Sequence, residues 1–120
     1  MDHSPGFLKL VAEVMPRVRE IDSRTAEELA RTGQAVLIDV REESEWQAAH
    51  AAPARYLGRG ILERDIEKLV PDPDTPVILY CGGGYRSALA ADNLQKMGYT
   101  SVRSMAGGFT GWKDAGLPTE

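Results

Sequence analysis

The sequence predicts an α/β domain in which a mainly parallel sheet of about five strands is flanked by helices on both faces. Two short apolar runs, 35–38 and 77–80, are too uniformly hydrophobic for a sheet with one wet face and read as strands buried on both sides. Segments with helical spacing alternate with these runs, which is the pattern of parallel strands joined by helical crossovers. A chain of 120 residues is the length of one domain and buries enough apolar surface to fold without metals or disulfides.

The elements follow in order. Residues 7–15 place Phe7, Leu10, Val11 and Val14 at helical spacing, with Lys9 and Glu13 between them, so they read as an amphipathic opening helix and not as a signal-peptide core. Thr25 and Glu28 have capping-box spacing, and Ala26, Leu29 and Ala30 continue a short helix that stops near Gly33. The first buried strand then runs to Asp39, Val40 and Arg41. Residues 43–49 suggest a further short helix, with Trp46 as its large buried residue and Glu42, Glu43 and Glu45 near its N-terminus. After a loop through Pro53, Gly58 and Gly60, Leu62, Ile66 and Leu69 mark one side of a helix over 61–69. Pro71, Pro73 and Pro76 end it and introduce the second buried strand, 77–80. From Arg86 or Ser87 a helix carries Ala90, Leu94 and Met97 in one stripe and stops at Gly98, and 99–103 supplies another strand. Gly107 and Gly108 make a turn, and Phe109 and Trp112 belong to a last short helix that ends near Gly116 and Pro118 as core residues.

Composition removes several function classes. Fourteen Lys and Arg against eighteen Asp and Glu leave a net charge of -4, so there is no basic field for a nucleic-acid backbone. With 42% hydrophobic and 27% charged residues the chain is an ordinary globular protein, not a disordered one. No apolar run approaches the roughly 20 residues of a bilayer-spanning helix, so no membrane partner is expected. Cys81 is the only cysteine, and a free thiol without a secretion signal fits a reducing compartment, so the expected location is the cytoplasm.

Chemistry concentrates in Cys81-Gly82-Gly83-Gly84-Tyr85-Arg86-Ser87, between the end of an apolar strand and the start of a helix. In parallel sheets, ligands bind beyond the carboxyl ends of the strands. Consecutive glycines let the backbone turn several N–H groups inward as an anion-binding nest, and the helix behind them points its unpaired N–H groups into the same cradle. Arg86 adds a full positive charge at the rim. A solvent-open thiol in such surroundings is expected to be a nucleophile, at least partly ionised near neutral pH. A lone cysteine without these neighbours reads as inert core.

The loop Cys-x-x-Gly-x-Arg-Ser resembles the active-site loop of rhodanese-like domains. Residues 37–41, Glu45-Trp46, 50–54, 77–87 and Gly107-Gly108-Phe109 with Trp112 resemble the family's successive signature segments, in order. The resemblance assigns 22–120 to a rhodanese-like domain and leaves 1–21 as an N-terminal helical extension. It departs at Ala49-His50-Ala51-Ala52-Pro53-Ala54, where the family's usual form is Gly-His-Ile with a following Gly-Ala. Membership implies a sulfurtransferase that takes sulfane sulfur from thiosulfate or a persulfide donor, holds it as a persulfide on Cys81 and passes it to cyanide, a thiol or a sulfur-acceptor protein. On this reading Cys81 is catalytic, Gly82, Gly83, Gly84, Tyr85, Arg86 and Ser87 bind substrate, and neither metal nor cofactor is needed.

The same residues admit other readings. A dinucleotide loop would put its third glycine at Ser87, and no acidic residue for a ribose occurs among 101–106. A phosphatase or arsenate reductase of related fold would have five residues between cysteine and arginine, whereas Cys81 and Arg86 enclose four. A persulfide relay or regulatory module acting with a partner protein uses the same intact cysteine. His50 reads as a hydrogen-bonded loop residue outside the site. Asp39 and Arg41 read as support for a loop, and Tyr85 suits packing and substrate selection equally.

Overall fold

The computed structural model describes residues 3–120. Five strands, β1 (Arg19–Ile21), β2 (Val36–Asp39), β3 (Arg55–Tyr56), β4 (Val77–Tyr80) and β5 (Val102–Met105), form one sheet in the order β1-β5-β4-β2-β3, every neighbouring pair parallel. The helices are α1 (Pro5–Val14), α2 (Ser23–Arg31), α3 (Glu43–Ala48), α4 (Leu62–Leu69), α5 (Tyr85–Lys96) and α6 (Gly108–Asp114). No helix among the described residues is long and apolar enough to cross a membrane.

Strand side chains alternate between faces, and here both faces are covered. Ile38, Val77 and Leu79 pack with Leu62 and Ile66 of α4 and Ala90, Ala91 and Leu94 of α5. Leu37, Ile78, Tyr80 and Met105 pack on the other face with Ala26 of α2 and Phe109 and Trp112 of α6. The same alternation that sends Tyr80 toward α6 sends Cys81 into the α4/α5 core.

Several local expectations need correction. The cap of α2 is Asp22 and not Thr25: its carboxylate accepts the Thr25 N–H at 3.2 Å and the Thr25 hydroxyl at 2.6 Å, so the helix begins three residues earlier. Trp46 is half-buried and stacks on His50, ring centroids 3.4 Å apart and nearly coplanar, instead of entering the core. Met97 is 38% exposed because α5 has already ended at Lys96. The last strand starts at Val102 and not near residue 99. Gly98, at φ +106°, turns the chain so that the Tyr99 N–H bonds Leu94 O, and the Tyr99 hydroxyl donates to Val70 O. The edge strands β1 and β3 have three and two residues, too few to show a period.

The strand order places a crevice. Beyond β2 the chain turns outward to β3, and beyond β4 it turns the opposite way to β5, so the segments leaving these two central neighbours diverge. Cys81 leaves the end of β4 and Arg41 the end of β2, with Asp39 and Tyr80 paired in register.

The floor of the crevice is a close backbone approach. The Phe109 N–H donates to Cys81 O at 2.8 Å and the Thr110 N–H to Gly82 O at 3.2 Å. Gly108, at φ +55°, permits this contact, because a Cβ there would lie 2.5 Å from Cys81 O and 2.6 Å from Gly82 C and O. Gly108→Ala is expected to lower the unfolding free energy by at least about 2 kcal/mol, of which the left-handed backbone alone accounts for about 1–2. Urea titration checks this, and a wild-type midpoint would refute the tight approach.

Candidate active site

Cys81 is the residue after β4, and the loop behind it bends back so that α5 starts over the sulfur. Gly84 caps α5 in the left-handed region at φ +103°, a conformation that disfavours a side chain. The result is convergence: the Gly84 N–H points at Cys81 Sγ at 3.1 Å and the Ser87 N–H at 3.4 Å, with Ser87 Oγ 3.5 Å away. Unpaired amides at the start of a helix, joined to a glycine turn, converge on this point in the manner of an anion-binding cradle.

The sulfur is not open to solvent as expected. Cys81 is 1% exposed, because strand alternation directs its side chain inward and the loop closes over it. Its surroundings are nevertheless polar on one side, where the amides meet it. The loop itself reaches the surface: Gly83 is exposed, and Gly82 and Gly84 are half-buried.

Arg86 stands at the rim and meets Glu45 of α3 across the crevice, with Nη1 and Nη2 3.3 and 3.4 Å from the two carboxylate oxygens. Burial is the largest single influence and opposes the Arg86 charge, but the hydrogen bond to Glu45, the attraction of its charge and weaker acidic neighbours together outweigh it and hold the guanidinium pKa above its ordinary value. Burial likewise opposes the Glu45 charge, and Arg86, the Glu42 N–H and Arg41 together hold that carboxyl below the usual range. Contacts of this length exceed the 2.7–2.9 Å of a strong charge-assisted bond, so the pair leaves Arg86 free to re-pair.

Tyr85 faces the other way. It is 39% exposed, its ring lies over Gly83, and it meets His3 and Phe7 of the N-terminal segment at centroid distances of 4.5 and 6.1 Å. His50 stays outside the site, its Nδ1 3.0 Å from Trp46 O and its Nε2 3.8 Å from Glu120.

Asp39 and Arg41 form a buried pair, with Arg41 Nε and Nη2 spread over both carboxylate oxygens at 2.8–3.1 Å. Burial is the largest single influence and works against the Arg41 charge, and the Asp39 bonds with the attraction of Asp39 and of more distant acidic groups together offset it, leaving its pKa raised. Arg41 Nη2 also donates to Ala49 O at 2.6 Å, and its guanidinium lies 4.3 Å from the centre of the Phe109 ring. The pair thus fixes the segment that carries Glu45, while the Cys81 loop is held by α6.

A model of the rhodanese-like domain matches residues 22–115. The chain belongs to the rhodanese-like domain family. Curated relatives in this family include Thiosulfate sulfurtransferase GlpE of Vibrio cholerae, 34% identical over 106 residues that span 88% of this chain and 98% of the relative. The GlpE of Coxiella burnetii is 34% identical over 79% of this chain and 87% of its own. Among solved structures of similar fold, a Rhodopseudomonas palustris protein of unknown function, described as a possible tyrosine phosphatase, superposes with a TM-score of 0.84 at 31% identity. It covers 100% of this chain and 98% of its own. The polysulfide-sulfur transferase homodimer of Wolinella succinogenes gives 0.81 at 27% identity, covering 96% and 87%.

The domain's sheet reaches outside the matched span, since β1 at Arg19–Ile21 pairs with β5 and α1 packs on α5. The roles of four residues escaped the sequence reading. Glu45 reads in the sequence as a helix N-terminal acid within a family signature segment, and its capping-box role conceals its reach to Arg86. His3 and Phe7 carried no signal beyond amphipathicity. Ser104, fully buried in β5 and 2.7 Å from Ser87 Oγ, was lost in a strand placed too early.

Replacing Asp39 with Asn leaves the Arg41 guanidinium buried without a counter-charge. The expected loss is about 3–5 kcal/mol of stability, the usual consequence of breaking such a pair from one side. Chemical denaturation checks it, and a change below 1 kcal/mol would argue that the pair is solvated.

Proposed function

We propose that the protein is a sulfurtransferase in which Cys81 carries sulfane sulfur as a persulfide. The observation that supports this best is the convergence of the Gly84 and Ser87 N–H groups on Cys81 Sγ, at 3.1 and 3.4 Å. Donors aimed at one sulfur stabilise it as an anion, which is the attacking form.

In the proposed reaction the Cys81 thiolate attacks the outer sulfur of thiosulfate, and the bond from that sulfur to the sulfonate breaks. Sulfite leaves with the electron pair, and a persulfide anion remains on Cys81. A thiophilic acceptor then attacks the terminal sulfur, forms a new bond to it and returns the pair to Sγ. Cyanide, a small thiol or a cysteine of a partner protein each fits this step, and no outside oxidant or reductant is required.

Gly82–Gly84 supply backbone N–H groups and no obstructing side chains, so the wall between solvent and sulfur is bare peptide. Arg86 turns from Glu45 to the incoming sulfonate, and Tyr85 bounds the approach beside Gly83. A phosphatase reading draws on the description of the Rhodopseudomonas palustris structure. It fits less well, since only four residues separate Cys81 from Arg86; turnover of an aryl phosphate would reverse that ranking.

Incubation with thiosulfate followed by intact-mass measurement is expected to add one sulfur atom to the wild-type chain and none to Cys81→Ser. Equal masses would dismiss the persulfide. Arg86→Ala is expected to raise the KM for thiosulfate by about 10- to 100-fold, the worth of one hydrogen bond to a charged group. Steady-state kinetics over a range of thiosulfate concentrations measure it, and an unchanged KM would remove Arg86 from donor binding.

A further inference from the structure

Ser87 contacts Cys81 from the first turn of α5, but it is not the end of the hydrogen-bond chain. Its Oγ lies 3.5 Å from Sγ and 2.7 Å from Ser104 Oγ on β5, and both serines are fully buried. The 2.7 Å separation is that of a good hydroxyl–hydroxyl bond. Among the described residues, Ser104 Oγ has no other hydrogen-bond partner than Ser87.

Each hydroxyl has one hydrogen to give. A buried donor left without an acceptor costs free energy, so the hydrogen of Ser104 goes to Ser87 Oγ. Ser87 then accepts from Ser104 and has its own hydrogen left for Sγ. This arrangement is complete when the sulfur is an anion that only accepts. With a protonated sulfur donating to Ser87, the Ser87 hydrogen must turn to Ser104, and the Ser104 hydrogen has no acceptor in this set.

We infer that Ser104 is a positioning residue: acting through Ser87, it aims the Ser87 hydroxyl at Cys81 and so raises the fraction of Cys81 present as the reactive thiolate. It adds to the two amides a third donor that the glycine loop does not supply. Placement on β5 suits the task, since this interior strand is held on one side by β4 and on the other by β1, and Ser104 pairs in register with Leu79 and Glu20. The inference rests on Cys81 being the nucleophile of the proposed sulfurtransferase.

The test is a double-mutant cycle on the rate of Cys81 alkylation by iodoacetamide at fixed neutral pH, with ultraviolet thiolate absorbance as a second readout. Ser104→Ala is expected to slow alkylation about 3- to 10-fold and to weaken the absorbance, the scale of one hydrogen bond. Ser87→Ala slows it at least as much, and the double variant is no slower than Ser87→Ala alone, because Ser104 then has nothing to act through. Ser104→Thr, which keeps the hydroxyl, restores most of the rate. A wild-type rate in Ser104→Ala overturns the inference. So does a further equal loss in the Ser87→Ala background, which would mark a general packing effect, or a Thr variant as slow as the Ala variant while equally stable to urea. Alkylation needs no sulfur donor, so a wild type that alkylates but never gains sulfur would count against the proposed function alone. A wild type that resists alkylation in the folded state would remove both.

Discussion

The helix α5 begins over a sulfur atom, and most of the site is arranged to make that possible. Two amides of its first turn meet Cys81 Sγ, which needs Gly84 in the left-handed region and a strand that ends one residue earlier. If β4 were shifted by a residue, Cys81 would face α6 and Phe109, and the amides would have no sulfur to meet. The contact between Gly108 and the backbone of Cys81 and Gly82 guards against such a shift, since it pins the first two residues of the loop from the opposite face of the sheet. Burial of the aromatic pair Phe109 and Trp112 therefore does more than fill the core: it sets the height at which the loop starts.

Charge is distributed around the sulfur with the same economy. Two pairs of full charges line the crevice: Asp39 with Arg41 in the interior and Glu45 with Arg86 at the rim. The inner pair is short, multiply bonded and buried, so it behaves as a fixed strut. The outer pair is long and more than a third exposed on Glu45, where water screens it and the attraction is modest. A strut near the core and a loose clasp at the mouth are what a site needs if its cation must change partners when an anion arrives.

Much of this was legible in the sequence, for identifiable reasons. The runs at 77–80 and 35–38 announced central strands because both faces are buried, and Cys81 with its glycines followed directly. Short edge strands left no trace, since two or three residues cannot display alternation. Trp46 misled because size suggests the core, whereas its ring is satisfied by stacking on His50 four residues on along the chain. Exposure of Cys81 was misjudged by treating the residue as part of the loop when its side chain obeys the strand. The Ser104 contact lay beyond reach: only the tertiary arrangement brings β5 to the first turn of α5.

Burial of the sulfur is consistent with the proposed chemistry once solvation is considered. In water an anion is held by mobile dipoles that must reorganise as it attacks; in this cradle the dipoles belong to the backbone and are already oriented. Loading would place a second sulfur about 2.05 Å beyond Sγ, at the usual disulfide-like separation. On the proposed reading that atom would carry the negative charge of the persulfide beside the backbone of Gly82–Gly84. Side chains at 82 and 83 would face no positive-φ strain, since neither glycine lies in that region. A Cβ at 82 would meet Arg86 Nη2 at 3.5 Å and one at 83 the Tyr85 ring at 3.9 Å, ordinary contacts, so the turn itself depends on Gly84 alone.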